Sequence, residues 1–279
     1  MIAAAVPGPG IPVLLAVLLG VLQGLTEFLP VSSSGHLVIA QAILGVPQPG
    51  IALEVVLHAG TLAAVLVAYR RDLLAILRGI ARAFPGRSCH DAIARANARE
   101  AWLIVLATIP AAVAGVLWKD RIEAAFEEPW LVAALLVATG VLLLATRFAR
   151  TRRPEVGTGA ALLMGAMQAV SLLPGISRSG ATISGGLFAG TVPVRAVRFS
   201  FLMSIPAVLG SIVLEGPQVV RAAGGASGWS YAAAFATALI AGIFAIRALV
   251  WLAGRGRFHL FGFYCLAVGA LSWWWLAAR

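Results

Sequence analysis

The sequence predicts an all-α integral membrane protein, built as an inverted repeat of six transmembrane helices and two re-entrant helical hairpins. Three observations predict it. Of the 279 residues, 61% are hydrophobic and only 11% charged, whereas a soluble globular chain is about one quarter charged. The apolar segments are long runs of Ala, Leu, Val and Gly, which do not read as the alternating segments of a β-barrel. A polar motif, Gln23-Gly-Leu-Thr-Glu-Phe-Leu-Pro-Val-Ser-Ser-Ser-Gly-His36, returns with the numbering shifted by 145 as Gln168-Ala-Val-Ser-Leu-Leu-Pro-Gly-Ile-Ser-Arg-Ser-Gly180.

Charge and cysteine usage narrow the class further. The net charge is +10, and every basic residue except Lys119 is Arg. Most of these Arg residues flank apolar runs, so the excess reads as topogenic charge and no nucleic-acid partner is expected. The segment Met1–Gly10 has no basic residue, so a cleaved signal peptide is not expected. Cys89 and Cys265 sit in unlike contexts, and neither a disulfide nor a metal role is expected for them.

Taken in order, residues 11–29 form an apolar arm, and a second arm runs from Leu37 to Val46. The second arm has about half of the ~20 residues a helix needs to cross the hydrocarbon core. A Pro-Ser-Gly break between two such arms predicts a re-entrant hairpin whose break lines a cavity. Residues 51–69 read as the first full span, and a basic loop follows, containing Arg70, Arg71, Arg78, Arg82, Arg87, Arg95 and Arg99. Spans two and three fall at 101–118 and 130–146, separated by a net acidic loop. Arg147, Arg150, Arg152 and Arg153 mark the boundary between a first repeat, 1–150, and a second, 151–279. The second hairpin is expected at 159–173 and 181–192, and spans four to six at 199–215, 230–252 and 258–277. The positive-inside rule then puts both termini outside, and the odd span count inverts the second half relative to the first.

An ionisable residue inside a bilayer costs about 2.5–3.5 kcal/mol on insertion scales and is functional by default. Glu27, His36, Glu54, His58 and Arg178 are such residues. Ser177-Arg178-Ser179-Gly180 at a helix start offers backbone N–H groups, hydroxyls and a guanidinium at one point, which suits a phosphate. A structural Arg178–Glu27 pair is the competing reading. Glu27 ends one helix, and Ser32, Ser33 and Ser34 stand at the start of the next. At least one of these hydroxyls is expected to be only a cap, while one beside a carboxylate and an imidazole can be a nucleophile. His36 can serve as base, acid or nucleophile, or be a satisfied buried histidine. Gln23 lies one turn before Glu27 on the same face, and Glu54 and His58 share a face of their own helix. Gly185 and Gly186 read as close helix packing.

At these motifs, and at Leu53-Glu-Val-Val-Leu-His-Ala-Gly-Thr61 and Phe199-Ser-Phe-Leu-Met-Ser-Ile-Pro206, the sequence resembles the undecaprenyl-diphosphate phosphatase family, also called the bacitracin-resistance proteins. The resemblance runs over nearly the full length. It implies a hydrolase of the phosphoric anhydride bond that removes the terminal phosphate of a C55 polyprenyl diphosphate and so recycles the carrier lipid for peptidoglycan. It also implies a bacterial plasma membrane location with the site open to the outer face. It implies that Glu27 is catalytic or binds a divalent cation, that His36 and Arg178 are essential, and that Ser33 is the nucleophile. With Gln23 at the first position of the family's Glu/Gln-x-x-x-Glu motif, a single carboxylate remains, and Mg²⁺ or Ca²⁺ is then expected to arrive on the diphosphate. Gln23, Ser32, Ser34, Glu54, Ser177, Ser179 and Thr182 complete the expected substrate site. The partners are the polyprenyl diphosphate and membrane lipids, and a homodimer is compatible with the chain. A polyprenyl-phosphate flippase or ion-coupled transporter of the same architecture is the alternative class.

Overall fold

The computed structural model describes residues 12–44, 51–82, 91–222 and 228–278. Among them the secondary structure is helical, with no strand beyond an isolated bridge between Arg153 and Thr191. The chain opens with α1 (Val13–Phe28) and α2 (Ser33–Leu44), joined across a four-residue break. Leu29 precedes Pro30, which disfavours helical backbone, and it is accordingly extended, with φ −66° and ψ 143°. Ser32 then takes a left-handed φ of 63°, uncommon for any residue but Gly. From there its hydroxyl accepts the Gly35 N–H at 3.2 Å and caps α2.

The second break repeats this local chemistry. α8 (Thr158–Val170) and α9 (Arg178–Phe188) are separated by Pro174 and Gly175, the latter at φ +98°. Ser177 caps α9 by accepting the Gly180 N–H at 3.1 Å. Under the 145-residue shift Ser32 falls on Ser177 and Gly35 on Gly180, so the two caps are the same bond made twice. The four arms have 16, 12, 13 and 11 residues. At ~1.5 Å per residue each is shorter than the ~30 Å hydrocarbon core.

Among the described residues five helices are long and apolar enough to cross a membrane: α5 (Ala92–Leu117), α7 (Pro129–Ala145, extended by a 3₁₀ turn to Phe148), α10 (Pro193–Ala222), α11 (Gly228–Gly254) and α12 (Phe261–Ala277, preceded by a 3₁₀ turn). A sixth crossing is available if α3 (Ile51–Ala68) and α4 (Arg70–Arg82) count as one span, bent by 75°. A short α6 (Lys119–Ala125) links α5 and α7.

The segment expected as a basic loop after residue 69 is instead largely helical. Arg is a good helix former, and Ile76 and Gly79 give α4 a buried stripe that packs on α5. α5 starts at Ala92, well before the expected 101, because Asp91 caps it with bonds to Ile93 N and Ala94 N at 2.9 and 3.3 Å. Arg198 on α10 ties these elements together. Its Nε donates to Asp72 on α4 at 2.6 Å, and its Nη2 donates to Glu100 on α5 at 3.0 Å. Cys89 and residues 45–46 of the second expected arm lie outside the described residues; Cys265 is buried.

Polarity is turned inside out relative to a soluble protein. Leu14, Trp102, Val116, Phe148, Leu271 and Trp274 are exposed, while Glu27, Ser32, Thr139, Gln168, Ser177, Ser179, Thr182 and Ser200 are buried. This is the surface of a multi-pass membrane protein. α1 packs chiefly on α11 and α8 on α5, α3 packs on α10 and α11, and α7 packs on α12. Gly185 and Gly186 sit where α9 meets α8 and α10: a Cβ there would come 3.0 Å from Met167 and 2.9 Å from Ala196. The α7–α12 crossing is tighter. A Cβ on Gly140 would lie 2.9 Å from the Gly262 carbonyl, and one on Gly262 would lie 2.7 Å from the Gly140 carbonyl. Gly140→Val forces these backbones apart, and overpacking of this kind costs about 1–3 kcal/mol. The variant is expected to unfold at a lower temperature than the parent in thermal melts of detergent-purified protein, and an unchanged melt would refute the close crossing.

Candidate active site

The two helix breaks meet. A Cβ on Gly35 would lie 3.0 Å from the Gly175 Cα, and one on Gly180 would lie 3.4 Å from Pro30. The Ser179 hydroxyl donates across the seam to the Leu29 carbonyl at 3.2 Å. The termination of α1 leaves Glu27 at the seam, and the cap on α9 places Arg178 in the first turn opposite it.

Glu27 is the hub. The Arg178 Nη2 pairs with its Oε1. Its Oε2 accepts from Gln23 Nε2 and from Ser33 Oγ, each at 3.1 Å. Glu27 is buried and Arg178 keeps about a fifth of its side chain exposed. His58 stands on α3, half-buried, and Glu54 lies one turn before it, also half-buried.

The three serines now differ. Ser32 is the cap, and its Oγ lies 3.4 Å from Ser34 Oγ. Ser33 is the one whose hydroxyl meets the carboxylate, the arrangement a base needs in order to activate a nucleophile. In the second break Ser177 caps α9, and its Oγ lies 3.3 Å from Ser179 Oγ. Thr182 donates to the Arg178 carbonyl at 2.7 Å and lies 2.6 Å from Ser200 Oγ, so its hydroxyl is held between α9 and α10.

His36 is turned to other partners. Its Nδ1 lies 2.8 Å from the Ser32 carbonyl, which can only accept, so Nδ1 carries a proton. Its Nε2 lies 2.8 Å from the Tyr264 hydroxyl, with the two rings nearly parallel. In the neutral ring Tyr264 is therefore the donor to Nε2. Neither ring nitrogen is bonded to Ser33 or Glu27. Sequence reasoning missed Tyr264 because its only signal is a polar-tipped ring in an apolar span, 228 residues from its partner. It also missed Thr139, which bonds to the Gly175 carbonyl.

Among the described residues no three His, Cys, Asp or Glu side chains cluster. The Glu27 carboxylate is engaged by a guanidinium, an amide and a hydroxyl, all donors. Mg²⁺ and Ca²⁺ require several oxygen ligands instead. What the arrangement offers is an activated hydroxyl facing an anion clamp.

Known proteins resemble the chain over most of its length. The family model described as "Bacitracin resistance protein BacA" matches residues 16–271. The chain is 41% identical to an undecaprenyl-diphosphatase of Rubrobacter xylanophilus over 263 residues, covering 92% of this chain and 95% of that one. It is 43% identical to the undecaprenyl-diphosphatase of Syntrophotalea carbinolica, with 92% and 96% covered. It is 38% identical to that of Korarchaeum cryptofilum, with 91% and 95% covered.

The Glu27–Arg178 pair yields a stability test. Breaking a buried pair by removing one partner costs about 3–5 kcal/mol, because the other charge is left uncompensated; the partial exposure of Arg178 puts the expectation at the low end. Arg178→Met is expected to lower the melting temperature, and adding Glu27→Gln to recover part of the loss. Strict additivity of the two changes would mean that they are not coupled.

Proposed function

The chain belongs to the bacitracin resistance protein family, and we propose that it does what its curated relatives are named for: it hydrolyses undecaprenyl diphosphate to undecaprenyl phosphate and inorganic phosphate. The single observation that carries the mechanism is the three-way meeting of Ser33, Glu27 and Arg178 at the seam of the two helix breaks.

The terminal phosphoryl group enters beside Arg178. Only Nη2 of its guanidinium is engaged in the described contacts, so the rest of the fork is available to phosphate oxygens. Arg178 stands in the N-terminal turn of α9, the end of a helix whose dipole favours an anion. Ser33 Oγ attacks the terminal phosphorus and passes its proton to Glu27 Oε2. The bond to the bridging oxygen breaks, and polyprenyl phosphate leaves, its bridging oxygen taking the proton from Glu27. Water then attacks the phosphoserine, giving up its proton to Glu27, which passes it to Ser33 Oγ as the Oγ–phosphorus bond breaks; inorganic phosphate is released with Ser33 restored. Arg178 offsets the charge that spreads over the equatorial oxygens in both steps. Gln23 holds the Glu27 carboxylate in the orientation that Ser33 needs. The His36–Tyr264 pair flanks this centre and supplies no proton in the scheme. Any Mg²⁺ or Ca²⁺ is brought by the diphosphate.

The finer architecture belongs to the same reading. We read residues 1–150 and 151–279 as repeats of opposite orientation, each a re-entrant hairpin followed by three spans. The paired caps support this, and so does the packing, in which α1 meets α11 as α8 meets α5. The Arg-rich ends of the spans favour both termini outside, and the family resemblance supports a site open to the outer face of the bacterial plasma membrane.

The test is phosphate release from C55 diphosphate by purified protein in detergent, with and without chelator. Wild type is expected to release phosphate with no gradient present. Arg178→Lys keeps the charge but loses the fork, and is expected to fall ~10- to 100-fold in kcat/KM, on the order of 1.4–2.7 kcal/mol of transition-state binding. Ser33→Ala is expected to abolish turnover and the phosphoserine trapped by rapid quench. A fully active Ser33→Ala variant would instead mean direct attack by water, and a fully active Arg178→Lys variant would refute the clamp.

A further inference from the structure

Two side chains outside both helix breaks hold those breaks from the last span of each half. Thr139, on α7 and fully buried, donates to the Gly175 carbonyl at 2.9 Å and accepts the Ser177 N–H at 3.2 Å. Hydroxyls in apolar helices usually bond to their own preceding turn. Thr26, Thr108 and Thr237 do so here, to Leu22, Ile104 and Ala233. Thr139 instead reaches across 36 residues of chain. With one hydroxyl it satisfies a backbone acceptor and a backbone donor where protein must do what water does elsewhere. Those two groups flank Ile176, and the second belongs to the cap residue directly before Arg178.

Cys265, on α12 and fully buried, does the matching job on the first break: its Sγ donates to the Pro30 carbonyl at 3.3 Å. Pro30 falls on Gly175 under the 145-residue shift. Equivalent carbonyls of the two breaks thus each receive one side-chain donor, in each case from the opposite half of the chain. The two helices that carry these donors cross backbone to backbone at Gly140 and Gly262, and Gly140 is the neighbour of Thr139. The two braces therefore stand on one rigid crossing.

We propose that Thr139 is a positioning residue for phosphoryl transfer: acting through Gly175 and Ser177, it sets where the Arg178 fork stands relative to Ser33 and Glu27, with Cys265 as the matching brace on the first break. This rests on the phosphatase reading above.

The experiment measures steady-state hydrolysis of C55 diphosphate by the purified full chain carrying Thr139→Val or Thr139→Ser, each in the wild-type and the Arg178→Lys background. Thr139→Val keeps the shape and loses both bonds; a misplacement of this kind is expected to lower kcat ~10- to 100-fold, with KM changed by less than about threefold. Thr139→Ser restores the hydroxyl and is expected to return kcat to within about threefold of wild type. In the Arg178→Lys background the fork is absent, so Thr139→Val is expected to cost much less there. If Thr139→Val does not fold, Cys265→Ala carries the test, with a smaller kcat loss that Cys265→Ser restores. A fully active Thr139→Val variant overturns the proposal, as does an equal loss in both backgrounds without rescue by Ser, while an active wild type keeps the phosphatase reading intact. A wild-type protein that releases no phosphate overturns both.

Discussion

A carboxylate and a guanidinium cannot each stand alone among Ala, Leu and Val side chains at membrane depth. Desolvating either costs several kcal/mol, and the cost is recovered only if the two meet with good geometry and their remaining hydrogen-bonding groups are also engaged. Glu27 and Arg178 are 151 residues apart in the chain and belong to different helix pairs. Their pairing therefore requires that α1 end where it does, that α9 begin where it does, and that both ends reach the same point. Gln23 and Ser33 then occupy the second carboxylate oxygen. The site is the arrangement that makes these charges tolerable, and phosphate is the ligand that can take over one side of it.

Helix ends inside a membrane have a second requirement. Each break exposes backbone N–H and C=O groups that water would satisfy elsewhere. Here they are met by short side chains: Ser32 and Ser177 as caps, Thr139 and Cys265 as braces, and Ser179 across the seam. The polar residues around the site thus divide into those that face the reacting group and those that keep broken backbone satisfied, and both kinds are drawn from Ser and Thr. Near the start of α10 a different solution appears, with Arg198 shared between Asp72 and Glu100. There two carboxylates engage all three guanidinium nitrogens, whereas at Arg178 one carboxylate engages one of them.

How legible was this in the sequence? Glu27 and Arg178 could be singled out in it because the polar motif stands out against an apolar chain and then repeats. The division among Ser32, Ser33 and Ser34 could not, because it turns on the left-handed backbone at Ser32, which points one hydroxyl at Gly35 and leaves the next for Glu27. His36 was read as a partner of Ser33 on proximity along the chain, but the helical twist after the cap carries its ring to Tyr264. Thr139 and Tyr264 carry no local signal, since a lone hydroxyl in an apolar helix most often bonds its own turn. The helix α4 was read as a loop because its Arg residues were counted as topogenic charge, although the same residues are compatible with an amphipathic helix lying on α5.

The contact between Gly35 and Gly175 has a consequence for how such a site can change over time. At this seam the two breaks touch with no side chain between them, and Gly175 also lies against α7, where a Cβ would come 2.5 Å from the Val132 carbonyl. Adding even a methyl group there displaces both halves of the site at once. A side chain at either glycine is therefore excluded by both halves of the chain together, and sequence change at the seam is closed off while positions away from it stay open.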